Sequence, residues 1–241
     1  MRGRVQPRPL GEIAAAAARV FTGKGYKAAG ISDVAAVLGL SHGALYTYVD
    51  SKEALLYLAF LHLAEPEAPA GLTIPVGSPG PAGIAEIDAR SVASAGFPAL
   101  DAALGRRTKP VADELGGIID ELYAYIEGHQ GLLALVESCA RDIPELAELH
   151  FVRGRRVVLD QLGDYLRRRI RSGHLRPVPD VPTSARFLVE SVAWFAWHRH
   201  GDQDSLMLKD DDCRRTVRHL LLAAFLPAEP PPGGNDDDAD G

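Results

Sequence analysis

Apolar side chains recur every three to four residues along most of this chain, which is the spacing of one face of an α-helix. Near the N-terminus this spacing predicts a helix from about Leu10 to Lys24, ended by Gly25. The predicted apolar face contains Leu10, Ile13, Ala14, Ala17, Val20 and Phe21. Alternating apolar and polar residues, typical of a half-buried strand, are not sustained anywhere. We therefore expect an all-α fold.

Three further short helices are predicted directly after the first one. The second runs from about Ile31 to Leu38 with Gly30 as its N-cap, and the third from the N-cap Ser41 through Val49. A fourth starts near Lys52 and is capped by Asp50 or Ser51. Two short helices joined by a tight turn that contains glycine, here Gly39-Leu40-Ser41, form a helix-turn-helix. In that motif the second helix lies in the DNA major groove.

The rest of the chain divides by composition. Residues 66–81 are rich in proline and glycine and cannot form a regular helix, and residues 83–105 are only weakly helical. Strong helical spacing returns at about 111–128, 130–140, 144–172, 182–200 and 210–226. We therefore predict a flexible basic arm (1–9), a helix-turn-helix domain (10–60, the head), a linker with irregular helices (66–110), a helical domain (111–226) and a disordered acidic tail (227–241).

Charge is distributed unevenly along the chain. The net charge is −6, which at first argues against a nucleic-acid partner. Residues 1–53, however, carry seven Lys and Arg against four Asp and Glu, and the last fourteen residues carry five Asp and Glu without a base. The head is therefore mildly basic, and this local balance matters more for DNA than the sum.

Composition also limits the location and the chemistry that we expect. No run of eighteen apolar residues is present, and the N-terminus lacks the apolar core of a signal peptide. Cys139 and Cys213 lie far apart without metal-ligand spacing, so we expect two reduced thiols in a cytoplasmic protein. No P-loop, GxSxG, HExxH or CxxC motif occurs. We expect neither an enzyme nor a metal or cofactor site.

The head resembles that of the TetR family of bacterial transcriptional regulators over about fifty residues. The resemblance rests on Ile13, Ala16-Ala17, Phe21, Gly25-Tyr26, Ile31, Asp33-Val34-Ala35, Gly39-Leu40-Ser41, Gly43, Leu45-Tyr46-Thr47-Tyr48 and Ser51-Lys52-Glu53-Ala54-Leu55. Two positions depart from the pattern. Many members have Thr at the place of Gly30, where it caps the second helix and touches a phosphate, and many have Phe at the place of Val49.

The candidate DNA contacts are Gly30, Ser32, Ser41, His42, Gly43, Ala44, Tyr46, Tyr48 and Lys52. Helix N-termini carry unpaired N–H groups and bind phosphate, which suits the helix starts at Gly30–Ser32 and at Ser51–Lys52. The resemblance implies that these two ends hold the DNA backbone on either side of the groove. Ser41, His42, Gly43 and Ala44 form the first turn of the third helix, where side chains can reach base edges.

Each of these interpretations has an alternative. Tyr46 could be a core residue, His42 an inert surface residue, and Lys52 a solvated lysine at a helix start. Long polar side chains are few in the first turn of the third helix, so we expect DNA shape to contribute to specificity.

Two apolar helices near the end of the chain suggest a four-helix interface between two subunits, which the resemblance favours over a single-chain core. The candidate interface residues are Phe187, Ser191, Phe195, Val217, Leu221 and Phe225. A two-fold dimer would match a palindromic DNA site.

The resemblance also implies a cavity for a small, largely apolar effector. Its candidate lining residues, each of which could instead be plain core, are Leu104, Leu122, Tyr123, Ile126, Val136, Glu137, His150, Phe151, Leu162, Tyr165 and Trp194. The arginines of 153–171 are expected on the solvated face of a long helix.

The predicted function is a ligand-responsive, homodimeric repressor that binds a palindromic operator. The alternatives are a transcriptional activator, a repressor without an effector, or a helical small-molecule-binding protein that has lost specific DNA binding.

Overall fold

The computed structural model describes residues 8–80, 83–84, 87, 96–105 and 109–227. The predicted flexible arm (1–9) and acidic tail (227–241) lie almost wholly outside these residues. In the part of the chain that is described, the structure is helical, and its β-pairing is one isolated parallel bridge between Val49 and Val76. None of the helices in this part is long and apolar enough to cross a membrane.

The described residues contain α-helices of four to nineteen residues. In chain order they are α1 (Leu10–Ala28), α2 (Ile31–Leu38), α3 (His42–Leu45), α4 (Lys52–Ala64), α5 (Pro98–Leu104), α6 (Val111–Gly128), α7 (Gln130–Ala140), α8 (Pro144–Ala147), α9 (Arg156–Arg171), α10 (Val181–Ala196) and α11 (Asp210–Phe225). A π-helical segment (Glu148–Arg155) joins α8 to α9, and 3-10 helices cover Ala68–Gly71, His198–Gly201 and Gln203–Ser205.

The chain folds into two compact units. Unit 1 contains Met1–Gly96 and Tyr125–Val158, and unit 2 contains Phe97–Ala124 and Leu159–Gly241. These units do not follow the domain boundaries predicted above, since residues 125–158 cluster with the head. The predicted domains remain a prediction of how the functions are divided along the chain.

The centre of unit 1 is the packing of α1 against α4 and α7. Alanines at positions 14, 16, 17 and 18 are buried on α1, and their small side chains let the neighbouring helices approach closely. The core that they line is filled by Ile13, Phe21, Leu55, Leu58, Leu132, Leu135 and Val136. The core of the head is thus completed by side chains from a helix that follows about seventy residues later.

Helix α3 is shorter than the sequence predicts. It ends at Leu45 instead of Val49, and hydrogen-bonded turns follow, from Thr47 N–H to Ala44 O (3.2 Å) and from Tyr48 N–H to Leu45 O (3.0 Å). The Thr47 hydroxyl also donates to Ala44 O at 2.7 Å, which competes with a helical partner for that carbonyl. Val49 then leaves the helical path to pair with Val76.

The proline- and glycine-rich segment after α4 is attached to the head. Val76 N–H donates to Tyr48 O (2.7 Å), Asp50 N–H donates to Val76 O (3.1 Å), and the Val76 side chain is buried in the same core. This segment is therefore part of unit 1 as far as residue 80 and is not a free linker over that stretch.

Unit 2 contains a buried ion pair that the sequence analysis placed on a solvated face. Arg169 is 7% exposed and donates from Nε and Nη2 to the Glu114 carboxylate (2.8 and 3.2 Å) and from Nη2 to Ala103 O (2.8 Å). Two bonds to the carboxylate and one to a backbone carbonyl offset the cost of burying both charges. The prediction for the arginines was therefore wrong for Arg169.

Two of the longer predicted helices also differ from the structure. The helix expected at 144–172 changes to π-helical hydrogen bonding at Glu148–Arg155, around Gly154 and the β-branched Val152, both poor helix formers. The helix expected at 182–200 starts at Val181, where the Asp180 side chain caps it, and ends at Ala196. Both cysteines are free and buried.

Candidate nucleic-acid interface

The turn between α2 and α3 has the geometry that a helix-turn-helix requires. Gly39 ends α2 in the left-handed region (φ 65, ψ 29), which glycine adopts without the steric cost of a Cβ. The N–H groups of Gly39 and Leu40 donate to Ala36 O (3.1 Å) and Ala35 O (2.9 Å) and satisfy the last carbonyls of the helix. Ser41 then caps α3, its hydroxyl accepting from Ala44 N–H at 3.1 Å.

The first turn of α3 presents an exposed polar surface. Ser32, Ser41, His42 and Gly43 are all exposed, and Ala44 is half-buried. Ser32 Oγ lies 2.8 Å from His42 Nδ1, so the start of α2 orients the imidazole and leaves Nε2 on the outside. The six-membered ring of Tyr46 packs edge-on against His42 with ring centroids 5.2 Å apart.

Tyr46 and Tyr48 take different positions. Tyr46 is 43% exposed, which excludes the alternative that it belongs to the core. Tyr48 is half-buried, and its hydroxyl accepts from Arg8 N–H at 3.0 Å. Tyr48 thus holds the chain that precedes α1 against the head, and its hydroxyl hydrogen can still be donated to a phosphate.

The N-terminus of α2 differs from the sequence expectation. Gly30 is extended (φ −118, ψ 160), and its N–H donates to Asp33 Oδ2 at 2.7 Å. Lys24 Nζ binds the other Asp33 oxygen at 2.6 Å, and these two hydrogen bonds, led by Lys24, hold the pKa of Asp33 below its usual value. The backbone N–H of Gly30, the one group that this residue could offer to a phosphate, is therefore already used. This phosphate contact would have to displace Asp33.

Lys52 is held at the start of α4. Ser51 caps the helix through Ala54 N–H (3.1 Å), and Lys52 Nζ donates to Lys27 O at 3.3 Å and lies 4.5 Å from the centroid of the Tyr26 ring. The Tyr26 hydroxyl donates to Glu53 Oε1 at 2.6 Å. An ammonium has three donors, so Lys52 keeps hydrogens for a phosphate while its position is fixed.

The neighbours of Lys52 were not assigned a role by the sequence analysis. Tyr26 is one of the residues on which the TetR resemblance rests. Its position beside Lys52 follows only from the fold. Burial and the bond to Glu53 raise the pKa of Tyr26, and the same hydrogen bond lowers the pKa of Glu53. Tyr26 therefore keeps its proton and Glu53 its charge at neutral pH.

Comparison with known proteins now identifies the domain. Residues 13–57 match the family model of the bacterial regulatory proteins of the tetR family. The head therefore carries the helix-turn-helix domain of the TetR family of bacterial regulatory proteins. The matched residues run from within α1 to within α4 and include all of the helix-turn-helix. Regulators of this family are in general DNA-binding proteins without enzymatic activity.

Solved structures share the fold over nearly the whole chain. AibR, solved with isovaleryl coenzyme A and operator DNA, is 16% identical with a TM-score of 0.54, covering 89% of this chain and 98% of its own. KstR2 of Mycobacterium tuberculosis, a ketosteroid transcriptional regulator, is 17% identical with a TM-score of 0.51, covering 94% and 98%. A tetR-family protein from Rhodococcus RHA1 is 19% identical with a TM-score of 0.51, covering 93% and 100%. A search of curated proteins finds no match.

The predicted effector residues fall into both units. Leu104, Leu122, Tyr123, Leu162, Tyr165 and Trp194 lie in unit 2, and Ile126, Val136, Glu137, His150 and Phe151 lie in unit 1. Most of them are buried, and Trp194 is 37% exposed. A cavity of about 500 Å³ in unit 1 is lined by Arg8, Glu12, Arg19, Val37, His62 and neighbouring apolar residues, none of them predicted effector residues.

The predicted dimer residues are only partly accessible. Val217, Leu221 and Phe225 are each 3% exposed, because this face of α11 packs within the single chain. These three residues were wrongly placed at the interface. Phe187 is 57% exposed, while Ser191 and Phe195 are half-buried. The outer face of α11 instead shows Leu220, which is 59% exposed and which the sequence analysis did not select.

Proposed function

We propose that this TetR-family regulator is a homodimeric repressor that binds a palindromic operator through α2 and α3 of each subunit. The observation that carries the proposal is the exposed first turn of α3, with His42 oriented by Ser32 and flanked by Tyr46. In a helix-turn-helix this turn is the one that contacts base edges, and Lys52 and Tyr48 are the phosphate donors of the proposal.

Dimerisation is supported by the apolar side chains that unit 2 leaves exposed on its last two long helices. Phe187 and Trp194 on α10 and Leu220 on α11 are 57%, 37% and 59% exposed. Large exposed apolar side chains on neighbouring helices are typical of an interaction surface. A two-fold dimer would place two heads on two half-sites of one operator.

Regulation by a small, largely apolar molecule is the second part of the proposal. AibR, of similar fold, was solved with isovaleryl coenzyme A and operator DNA. We infer that the helical region of this chain likewise binds an effector, which shifts the population away from the DNA-binding conformation. By linkage, operator DNA must weaken effector binding by the same factor.

The proposed regulator acts in the cytoplasm, where bacterial DNA is found, and it binds without catalysing a reaction. A transcriptional activator with the same head is the alternative within the regulatory class. A helical binding protein that no longer reads DNA remains the contrasting outcome of the experiment below.

The first experiment is selection of bound duplexes from a random library by the full-length protein, at two salt concentrations. Enrichment of one palindromic sequence is expected, with affinity that falls as salt rises because phosphate contacts release counterions. Lys52→Ala is expected to weaken all sequences alike and to reduce the salt slope by about one. Lys209→Ala, which removes the same charge in unit 2, is the matched control. Absence of any enriched sequence at low salt would favour the binding-protein alternative.

A further inference from the structure

The end of α1 is irregular at the point where it meets α7. Gly25 has φ 76 and ψ 169, so the helical path of α1 is interrupted at this residue. Ser138 on α7 binds the turn that precedes it, its hydroxyl lying 3.2 Å from Phe21 O and 2.9 Å from Thr22 O. The interruption is therefore stabilised in part from α7.

A second bond from the same region holds the chain beyond the interruption. Asp142, two residues after the end of α7, accepts from Lys27 N–H through Oδ2 at 2.7 Å, and its side chain is 19% exposed. The approach is close: a Cβ at position 25 would lie 3.3 Å from Ser138 O and 3.7 Å from Asp142 Oδ2. We refer to Ser138 and Asp142 together as the α7 clamp.

The clamp reaches the proposed DNA contacts through one residue. Lys27 donates its N–H to Asp142 and accepts from Lys52 Nζ on its C=O at 3.3 Å. Two soft dihedral angles separate these two groups, so fixing the N–H largely fixes the carbonyl. Three residues further on, Gly30 begins α2. Asp142 therefore helps to fix the carbonyl that binds Lys52.

We propose that Asp142 and Ser138 are positioning residues for DNA binding, which hold Lys52 in place from α7 without touching DNA. The proposal rests on the proposed function, because it requires that Lys52 binds a phosphate. It assigns a role to residues outside the matched segment 13–57, nearly a hundred positions from the recognition helix. Any change that withdraws the end of α7 would release Lys52 and lower operator affinity.

The charge of Asp142 and its hydrogen bond should change DNA affinity in opposite directions, so variants can separate the two effects. Asp142 is an anion 3.9 Å from Lys27 Nζ, so removing its charge alone would favour a nearby phosphate. Removing the acceptor would instead free Lys27 and Lys52. Asp142→Asn removes the charge and keeps an acceptor oxygen, whereas Asp142→Ala removes both.

The experiment measures operator affinity and its salt slope for the full-length variants, using the duplex selected by the wild-type protein. Asp142→Ala is expected to bind about tenfold more weakly than Asp142→Asn and to lose about one unit of salt slope, as Lys52→Ala does. Because both act through the same contact, the double variant Asp142→Ala/Lys52→Ala should bind no more weakly than Lys52→Ala. Ser138→Ala should act in the same direction as Asp142→Ala.

The control is Glu145→Ala, which removes an exposed carboxylate from the same unit, at a side chain without a bond or ion pair to the residues that the structure describes. Amide hydrogen exchange at Lys27 gives a direct readout and should be faster in Asp142→Ala than in Asp142→Asn. The proposal is overturned if Asp142→Ala, Asp142→Asn and Glu145→Ala bind alike, or if the losses from Asp142→Ala and Lys52→Ala add. Failure of the wild-type protein to bind any duplex would instead overturn the proposed function.

Discussion

Several single residues at the proposed DNA-contacting surface of the head also stabilise its structure. Asp33 satisfies the first N–H of α2, yet its charge lies where a phosphate was expected. Ser32 orients His42, and Lys52 is held by a backbone carbonyl. Each of these contacts fixes a side chain before DNA arrives, which reduces the entropy lost on binding.

His42→Ala is expected to change which operator sequence is preferred and to leave the salt slope unchanged. The imidazole is the one long polar side chain in the first turn of α3, and its contact with a base edge depends on sequence. Binding to a panel of single-base variants of the selected operator should show discrimination falling by about tenfold at one position in each half-site. An equal loss at every sequence would mean that His42 contacts only the backbone.

Tyr26→Phe is expected to reduce stability at neutral pH and to have no effect in acid. The hydroxyl of Tyr26 lowers the pKa of Glu53, so this bond stabilises the fold above the pKa that Glu53 has in the unfolded chain. That contribution is lost as the pH falls through the lower pKa of the folded state. Urea unfolding of both proteins from pH 7 downward should show two stability curves that converge in acid. Curves that stay parallel would contradict this account.

Much of the candidate site could be predicted from residues whose roles are local. Ser41 and Ser51 cap helices, and Gly39 adopts a left-handed turn, because each needs only its own neighbours. The use of the Gly30 N–H by Asp33 also depends on Lys24, and the burial of Arg169 depends on Glu114 fifty-five positions away. Such pairings arise from tertiary packing, which the spacing of apolar residues along the chain does not indicate.

At the scale of helices, boundaries were predictable where a cap or a glycine marks them. Helices α2, α6 and α7 begin and end at the expected residues. Helix α3 stops early because Val49 pairs with Val76, and the segment after α8 adopts π-helical bonding. Val49 fits the helical spacing of apolar residues, so the sequence alone places it in the helix although it pairs with a distant segment.

The glycine that interrupts α1 and the glycine that ends α2 should differ in their tolerance of alanine. Gly39 lies in the left-handed helical region with open space around it, so Gly39→Ala should cost about 1 kcal/mol. Gly25 lies in a region accessible almost only to glycine and faces Ser138 O at 3.3 Å, so Gly25→Ala should cost about 3 kcal/mol. Urea midpoints at an unchanged slope give both values, and equal losses would refute the distinction.

For the whole molecule, self-association is the property to test. Leu220→Asp places a charge on the exposed apolar face of α11 and should convert a dimer into monomers. Leu206→Asp, at a residue of the same unit that is 72% exposed, is the control and should leave the dimer intact. Sedimentation velocity distinguishes the two species. If Leu220→Asp sediments like the wild-type protein, the interface lies elsewhere.

The packing of α7 against α1 determines when the head can complete its fold during synthesis. When residues 1–64 have been synthesised, every proposed base and phosphate contact already exists, but the Leu132, Leu135 and Val136 side chains that cover α1 do not. At bacterial rates of elongation, roughly several seconds pass before they are made. During that interval the nascent chain exposes an alanine-rich apolar surface for a chaperone. A premature stop before residue 130 would yield a fragment that contains all of the proposed DNA-contacting residues but lacks the side chains that complete the core of the head.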